Sequence, residues 1–226
     1  MLCPVACAVM GRTIEPPSPA FERLDLGDGA WIDVARGFLA DHRAVYDAMV
    51  DTVHWQQNRI FRYERYYDEP RLVGWWNPRD EPPHPAIREA HRAIQSHYSV
   101  RFDGCGFAYY RDERDSVAFH RDRDLRWLDD TVIALVSLGQ RRPFLLRPRE
   151  NRYAHEMAHH GATHDLAPGE GDLIVMGGRT QTAWEHSVPK VARPLGGRIS
   201  LQWRWTSKTG RPVVGASYRA PRTFSR

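Results

Sequence analysis

The chain has 226 residues, 42% hydrophobic and 27% charged, which is long enough to bury a core without disulfides and too apolar for a disordered chain. No apolar run reaches the ~18 residues of a membrane span. The three cysteines, Cys3, Cys7 and Cys105, do not make a paired framework, so a reducing cytoplasm is expected. The net charge is +4, and five basic residues with no acid lie between Ser207 and Arg226, leaving the remainder at −1. Such a tail suits a polyanion and is also a common way for a chain to end.

In chain order, MLCPVACAVM lacks the basic residues that open a secretory signal, and Met10 is an alternative start. Residues 1–30 carry Pro and Gly without periodicity and are expected to be an irregular leader. Phe38, Leu39, Val45, Ala48, Met49 and Val53 recur at helical spacing, with Asp41 as the expected N-cap. A second helix is expected from Pro85 to about Tyr98, with Ile87, Ala90, His91 and Ile94 as its apolar stripe. Between the helices, residues 59–76 interleave Arg59, Arg62, Arg65 and Arg71 with Phe61, Tyr63, Tyr66, Tyr67, Trp75 and Trp76. That mixture suits a surface that grips phosphates and stacks bases, or equally a twisted strand pair with its aromatics inside.

Beyond residue 100 the pattern turns to short strands: TVIALVSL (131–138), PFLLR (143–147), LIVM (173–176) and ISLQWRW (199–205). Strands separated by turn signals indicate an antiparallel sandwich or barrel, mainly β with some α, its N-terminal helices packed on one sheet. The domain is expected over 31–206, with a basic segment at 207–226.

If FHRDRDL (119–125) is extended, alternation puts His120, Asp122 and Asp124 on one face. A His and an Asp two apart can share a metal, and His186 in WEHSVP would complete a two-His, one-carboxylate triad with open positions. An isolated H-x-D is more often a surface ion pair. In RISLQWRW, alternation sets Arg198, Ser200, Gln202 and Arg204 against Ile199, Leu201, Trp203 and Trp205. Two inward arginines would need an anion such as a dicarboxylate, whereas an exposed polar face would need nothing.

The motifs PRLVGWW (70–76), FAYY (107–110), HRDRD (120–124), SLGQRRPFLLRPR (137–149), GDLIVMGGRTQTAWEHSVPK (171–190) and RISLQWR (198–204) together resemble the AlkB family of Fe(II)/2-oxoglutarate-dependent dioxygenases, over roughly residues 30–210. The resemblance implies a double-stranded β-helix, or jelly roll, with Fe(II) as cofactor and 2-oxoglutarate and O2 as co-substrates. It implies His120, Asp122 and His186 as iron ligands and Arg198 and Tyr110 at the distal carboxylate of 2-oxoglutarate. Arg204 would lie near the carboxylate lost as CO2, Asp124 at the target base, and Trp76 as a stacking wall in a nucleotide-recognition segment about 55–80. The implied reaction is oxidative demethylation of N-alkylated bases in DNA or RNA, releasing formaldehyde, succinate and CO2.

Two positions depart from the family pattern: Ala108 and Ser200 stand where Asn is common, so Ser200 is the co-substrate contact carried over in altered form. The metal triad and the arginine pair are intact. The rival readings are a 2-oxoglutarate-dependent hydroxylase of a small molecule and a non-catalytic nucleic-acid-binding relative. A monomer with no membrane association and no obligate protein partner is expected. His155 and His159 stand four apart and could share a metal if helical, but His155, His159, His160 and His164 read as a solvated loop.

Overall fold

The computed structural model describes residues 19–62, 64–122, 125, 126, 128–149 and 163–207. Tyr63, Arg123, Asp124, His155, His159, His160 and the tail from residue 208 lie outside the described residues.

Two antiparallel sheets face each other. The larger combines β1 (Glu22–Gly27), β2 (Ala30–Ala35), β3 (Gln56–Arg62), β4 (Arg65–Trp76), β5 (Cys105–Tyr110), β7 (Thr131–Gly139), β10 (Leu173–Gly178) and β12 (Arg198–Thr206). Its spatial order is β1-β2-β10-β7-β12-β5-β4-β3. The smaller sheet is β6 (Val117–His120), β11 (Trp184–Val188), β8 (Leu145–Pro148) and β9 (His164–Asp165), in the order β6-β11-β8-β9. Sequence neighbours are mostly not spatial neighbours, which is why alternation alone yields a sandwich without its topology.

The middle of the larger sheet is buried on both sides, so β7 is apolar at nearly every position. Val132, Ala134, Val136 and Leu138 pack under the helices with Ile199, Leu201 and Trp203, while Ile133 and Leu135 face the smaller sheet with Ile174, Met176 and Leu146. Fully burying each large aliphatic side chain contributes about 1.5–3 kcal/mol, so these two layers dominate the stability. Helix α1 (His42–Thr52) and α2 (Pro85–Tyr98) cover the outer layer. In α2, Pro85 fits the first turn, the His84 ring accepts from the Ala86 N–H, and Ser99 closes the helix in the left-handed region. A third short helix, α3 (Thr180–Ala183), precedes β11. Among the described residues no helix is long and apolar enough to cross a membrane.

Three expectations are corrected. Residues 22–27, expected in an irregular leader, pair with β2 as an edge strand, Glu22 opposite Val34 and Leu24 opposite Ile32. Helix α1 starts at His42, directly after Asp41, but Phe38 and Leu39 of the expected apolar stripe lie outside it, because Gly37 takes a left-handed turn and Leu39 donates its N–H to Gly171. Asp41 precedes the helix but its side chain makes no capping bond. Finally, the strand carrying His120 stops there: the N–H groups of Leu125 and Arg126 both turn back onto the Asp122 carbonyl. Asp122 therefore reaches the site from a turn instead of by strand alternation.

Candidate active site

The site lies between the sheets, where β5 and β12 of the larger one face β6 and β11 of the smaller. Antiparallel register puts His186 directly opposite His120, with ring centroids 4.3 Å apart. Asp122 follows from the turn, and ligand atoms of all three residues fall within 4.8 Å of one another. The Nδ1 of His120 donates to the Ala118 carbonyl at 2.8 Å, which turns Nε2 toward Asp122 and the cluster. His186 stacks on Phe144 and is nearly fully buried. Burial, reinforced by His120, lowers its pKa to about 3, so the ring is a neutral donor at physiological pH. Burial alone would raise the Asp122 carboxyl, but Arg204 and the two histidines reverse this and hold it well below the usual carboxylate range. Two imidazoles and one ionised carboxylate on one side of a pocket fit a divalent iron ion with positions left over.

The surroundings fix these ligands. Arg204 Nε donates to Asp122 Oδ2 at 2.7 Å, and its Nη2 donates to Gln202 Oε1 at 2.8 Å. The Asp122 backbone N–H donates to Gln181 Oε1 at 2.8 Å, which ties the turn to α3. Arg204, expected near the departing carboxylate of the co-substrate, thus already contacts the metal cluster through Asp122.

The pocket continues from the metal cluster along β12, past Arg204, Gln202 and Ser200 to Arg198, with Tyr110 beside it on β5. Arg198 is 1% exposed and donates one bond, from Nη2 to Ser137 Oγ at 2.7 Å. Its Nε and Nη1 are buried with no partner among the described residues. Burial lowers its pKa to about 10, which still leaves it charged. A buried cation with two free donors at the closed end of a pocket fits a carboxylate, and a dicarboxylate anchored there would reach back toward the metal cluster. Ser200 is opposite Ala108 on one neighbouring strand and Ser137 on the other, so the two departures from the family pattern lie side by side in one row of small residues.

Of the substrate residues expected, Asp124 lies outside the described residues. Trp76 is 3% exposed and on the other side of the sheet, packed edge-on to His91, with its indole N–H bonded to the Asp80 carbonyl. Strand alternation is the reason: Trp75 and Trp76 must point to opposite faces, and it is Trp75 that faces the site side. Trp75 is 54% exposed and lies over Gly104 and Gly106, where an added Cβ would collide at Gly104 and at Gly106 would touch both the indole and Arg204 Nη1 at 3.7 Å. Sequence reasoning also missed Ser137 and Gln181, and it grouped Arg71 with the residues of a phosphate-gripping surface. Arg71 is largely buried, with Nη1 3.5 Å from the Tyr110 hydroxyl. Ser137 and Gln181 sit inside motifs already singled out, but only the register shows what they face.

Comparison with known proteins agrees with this geometry. The 2OG-Fe(II) oxygenase superfamily model matches residues 40–204. The chain is 28% identical over 178 residues to human alpha-ketoglutarate-dependent dioxygenase alkB homolog 3, covering 71% of this chain and 60% of that protein. It is 27% identical over 233 residues to the DNA oxidative demethylase ALKBH2 of Arabidopsis thaliana, covering 84% and 72%. The match thus spans about 60% of the length of the alkB homolog 3 relatives. A prolyl hydroxylase from Trichoplax adhaerens, solved with a hypoxia inducible factor peptide, shares the fold at TM-score 0.54 and 16% identity, covering 76% of this chain and 82% of that one. The chain belongs to the 2OG-Fe(II) oxygenase superfamily. The curated relatives that it resembles are alkB homologues.

Proposed function

We propose that this chain is an Fe(II)/2-oxoglutarate-dependent dioxygenase that oxidatively dealkylates N-alkylated bases in DNA or RNA. The observation that carries this reading is the shared pocket: His120, Asp122 and His186 at one end, and the two unpartnered buried nitrogens of Arg198 at the other. The relatives named above supply the substrate class.

In this reading His120, Asp122 and His186 hold the iron. Tyr110 and Arg198 anchor the distal carboxylate of 2-oxoglutarate, with Ser200 alongside. Arg204 orients Asp122 and offers its remaining N–H groups to the proximal carboxylate. Iron and 2-oxoglutarate, when bound, supply the oxidising power, consuming O2 and releasing succinate and CO2 while the alkyl carbon leaves as formaldehyde. The low pKa of His186 keeps its nitrogen donor available without competition from protons, and the bond from His120 Nδ1 to the Ala118 carbonyl fixes the orientation of the other ring.

A base inside a duplex cannot reach a pocket between two sheets, so the substrate must be single-stranded or flipped. Trp75 is the side chain placed to stack on such a base, in the role the sequence assigned to Trp76. Outside it, the β3–β4 hairpin exposes Phe61, Tyr66 and Tyr67, and Arg59 lies 5.3 Å over the Tyr66 ring. Stacking rings with guanidinium groups suit a single strand and its phosphates.

The test is anaerobic incubation with Fe(II) and 2-oxoglutarate, then air over N-methylated DNA and RNA oligonucleotides, with Asp122→Ala as control. Succinate together with loss of one methylene mass is the expected result. Succinate over unchanged oligonucleotides would move the substrate to another class, and no succinate would overturn the reading.

A further inference from the structure

Arg142 lies in the connection between β7 and β8 and is 1% exposed. Its guanidinium donates to three main-chain carbonyls: Nη1 to Asp112 at 3.1 Å, and Nη2 to Asp115 at 2.7 Å and Pro189 at 2.9 Å. Asp112 and Asp115 belong to the loop that leaves β5 after Tyr110 and leads to β6 and His120. Pro189 follows the strand that carries His186. One buried side chain therefore ties together the ends of three strands that each deliver a site residue.

The same guanidinium carbon lies 5.2 Å from the centroid of the Tyr110 ring, and that of Arg198 lies 5.6 Å from the same centroid. Two buried cations thus flank one phenol at the closed end of the pocket. Neither has a carboxylate within 4.0 Å among the described residues, and Nε of Arg142, like Nε and Nη1 of Arg198, has no partner there. Backbone carbonyls take up most of the Arg142 donors, and Asp115, Asp112 and Glu113 offset part of its charge from beyond ion-pair distance. The clamp alone accounts for a side chain with several donors, but not for its ring contact with Tyr110 beside a second buried guanidinium.

We propose that Arg142 is a positioning residue for the distal carboxylate of the co-substrate, acting through Tyr110 and through its charge. It seats the phenol against Arg198 and makes this end of the pocket doubly cationic, so that a five-carbon oxo-dicarboxylate is preferred over an oxo-monocarboxylate. This inference rests on the reading of the pocket as a 2-oxoglutarate site, and the experiment separates the two.

The measurement is calorimetric binding of 2-oxoglutarate and of 2-oxobutyrate, which lacks the distal carboxylate, to the full chain loaded anaerobically with Mn(II). Arg142→Gln removes the charge and is expected to weaken 2-oxoglutarate about tenfold or more while leaving 2-oxobutyrate and Mn(II) affinity unchanged. Arg142→Lys keeps the charge but cannot bond all three carbonyls and hold the phenol, and is expected to weaken 2-oxoglutarate about threefold to tenfold, again selectively. Should Arg142→Gln fail to fold, Arg142→Lys alone decides. An unchanged preference for the dicarboxylate in a folded variant, or equal weakening of both ligands, would make Arg142 a loop clamp only and overturn the proposal. Absence of 2-oxoglutarate binding in the unaltered chain would instead overturn the reading of the pocket itself.

Discussion

Arg204 Nε donates to Asp122 Oδ2 at 2.7 Å, so the last strand of the larger sheet grips the carboxylate that the smaller sheet brings to the metal cluster. That pair sets the direction of the carboxylate and keeps it ionised. Arg204→Met leaves the carboxylate buried without its cation. Its affinity for Fe(II) or Mn(II) is expected to fall about 10–100-fold, the usual loss for a group that orients a metal ligand. Titration of Mn(II) binding by electron paramagnetic resonance measures this directly. Unaltered affinity would show that the pair is not needed to hold the metal.

Adjacent tryptophans on β4 face opposite ways, and their substitutions should therefore fail in opposite ways. Trp75→Ala is expected to weaken binding of a single-stranded oligonucleotide by about 1–3 kcal/mol, the value of one stacked base, with little change in Tm. Trp76→Ala empties part of the layer under the helices and is expected to cost about 3–5 kcal/mol of stability. Fluorescence anisotropy and urea unfolding on both variants separate the two effects. The reverse pattern would return the stacking role to Trp76.

These contrasts mark what was legible in the sequence. The helix over 85–98 and the β-strand at 198–206 follow from periodicity, and the β-strands at 131–139 and 173–178 from short apolar runs bounded by turn signals. The polar face of β12 was legible from the same periodicity. Neighbours set by register were not. Ser137 reaches Arg198 because β7 lies beside β12, and the continuous apolar run of β7 hides which of its residues face the pocket. Choosing Trp75 over Trp76 required the parity of β4 relative to β5, which a strand boundary read to within a few residues does not fix. Asp122 was assigned correctly to the cluster by a faulty route, since the strand ends at His120 and a turn does the rest.

Arg198 is a buried cation with two idle donors, an arrangement that disfavours the folded chain until an anion arrives. Arg198→Met is therefore expected to melt no lower than the unaltered chain when no ligand is present. It should also lose the rise in Tm that 2-oxoglutarate gives the unaltered, Mn(II)-loaded chain, about 2.7 kcal/mol of stabilisation at a hundredfold excess over Kd. Differential scanning calorimetry with and without 2-oxoglutarate tests both parts. A marked drop in Tm without ligand would assign Arg198 a structural role through Ser137 instead.

His91 offers a test of stability that does not involve the pocket. It sits on the buried stripe of α2 among Trp76, Phe102 and Trp203, with Nδ1 unpartnered among the described residues. Burial, aided by Arg92, lowers its pKa below the usual 6.5, so the ring is neutral in the folded chain. In the unfolded chain it protonates near 6.5, and between that value and its folded pKa the unfolded state binds more protons. Folding stability from this residue is therefore fully present above about pH 6.5 and declines as pH falls below it. His91→Leu removes the titration while keeping an apolar side chain in the layer. Its Tm is expected to fall less between pH 7 and pH 5 than that of the unaltered chain, even if it starts somewhat lower at pH 7 from imperfect packing. Parallel pH profiles for the two chains would show that His91 does not contribute to the acid sensitivity of the fold.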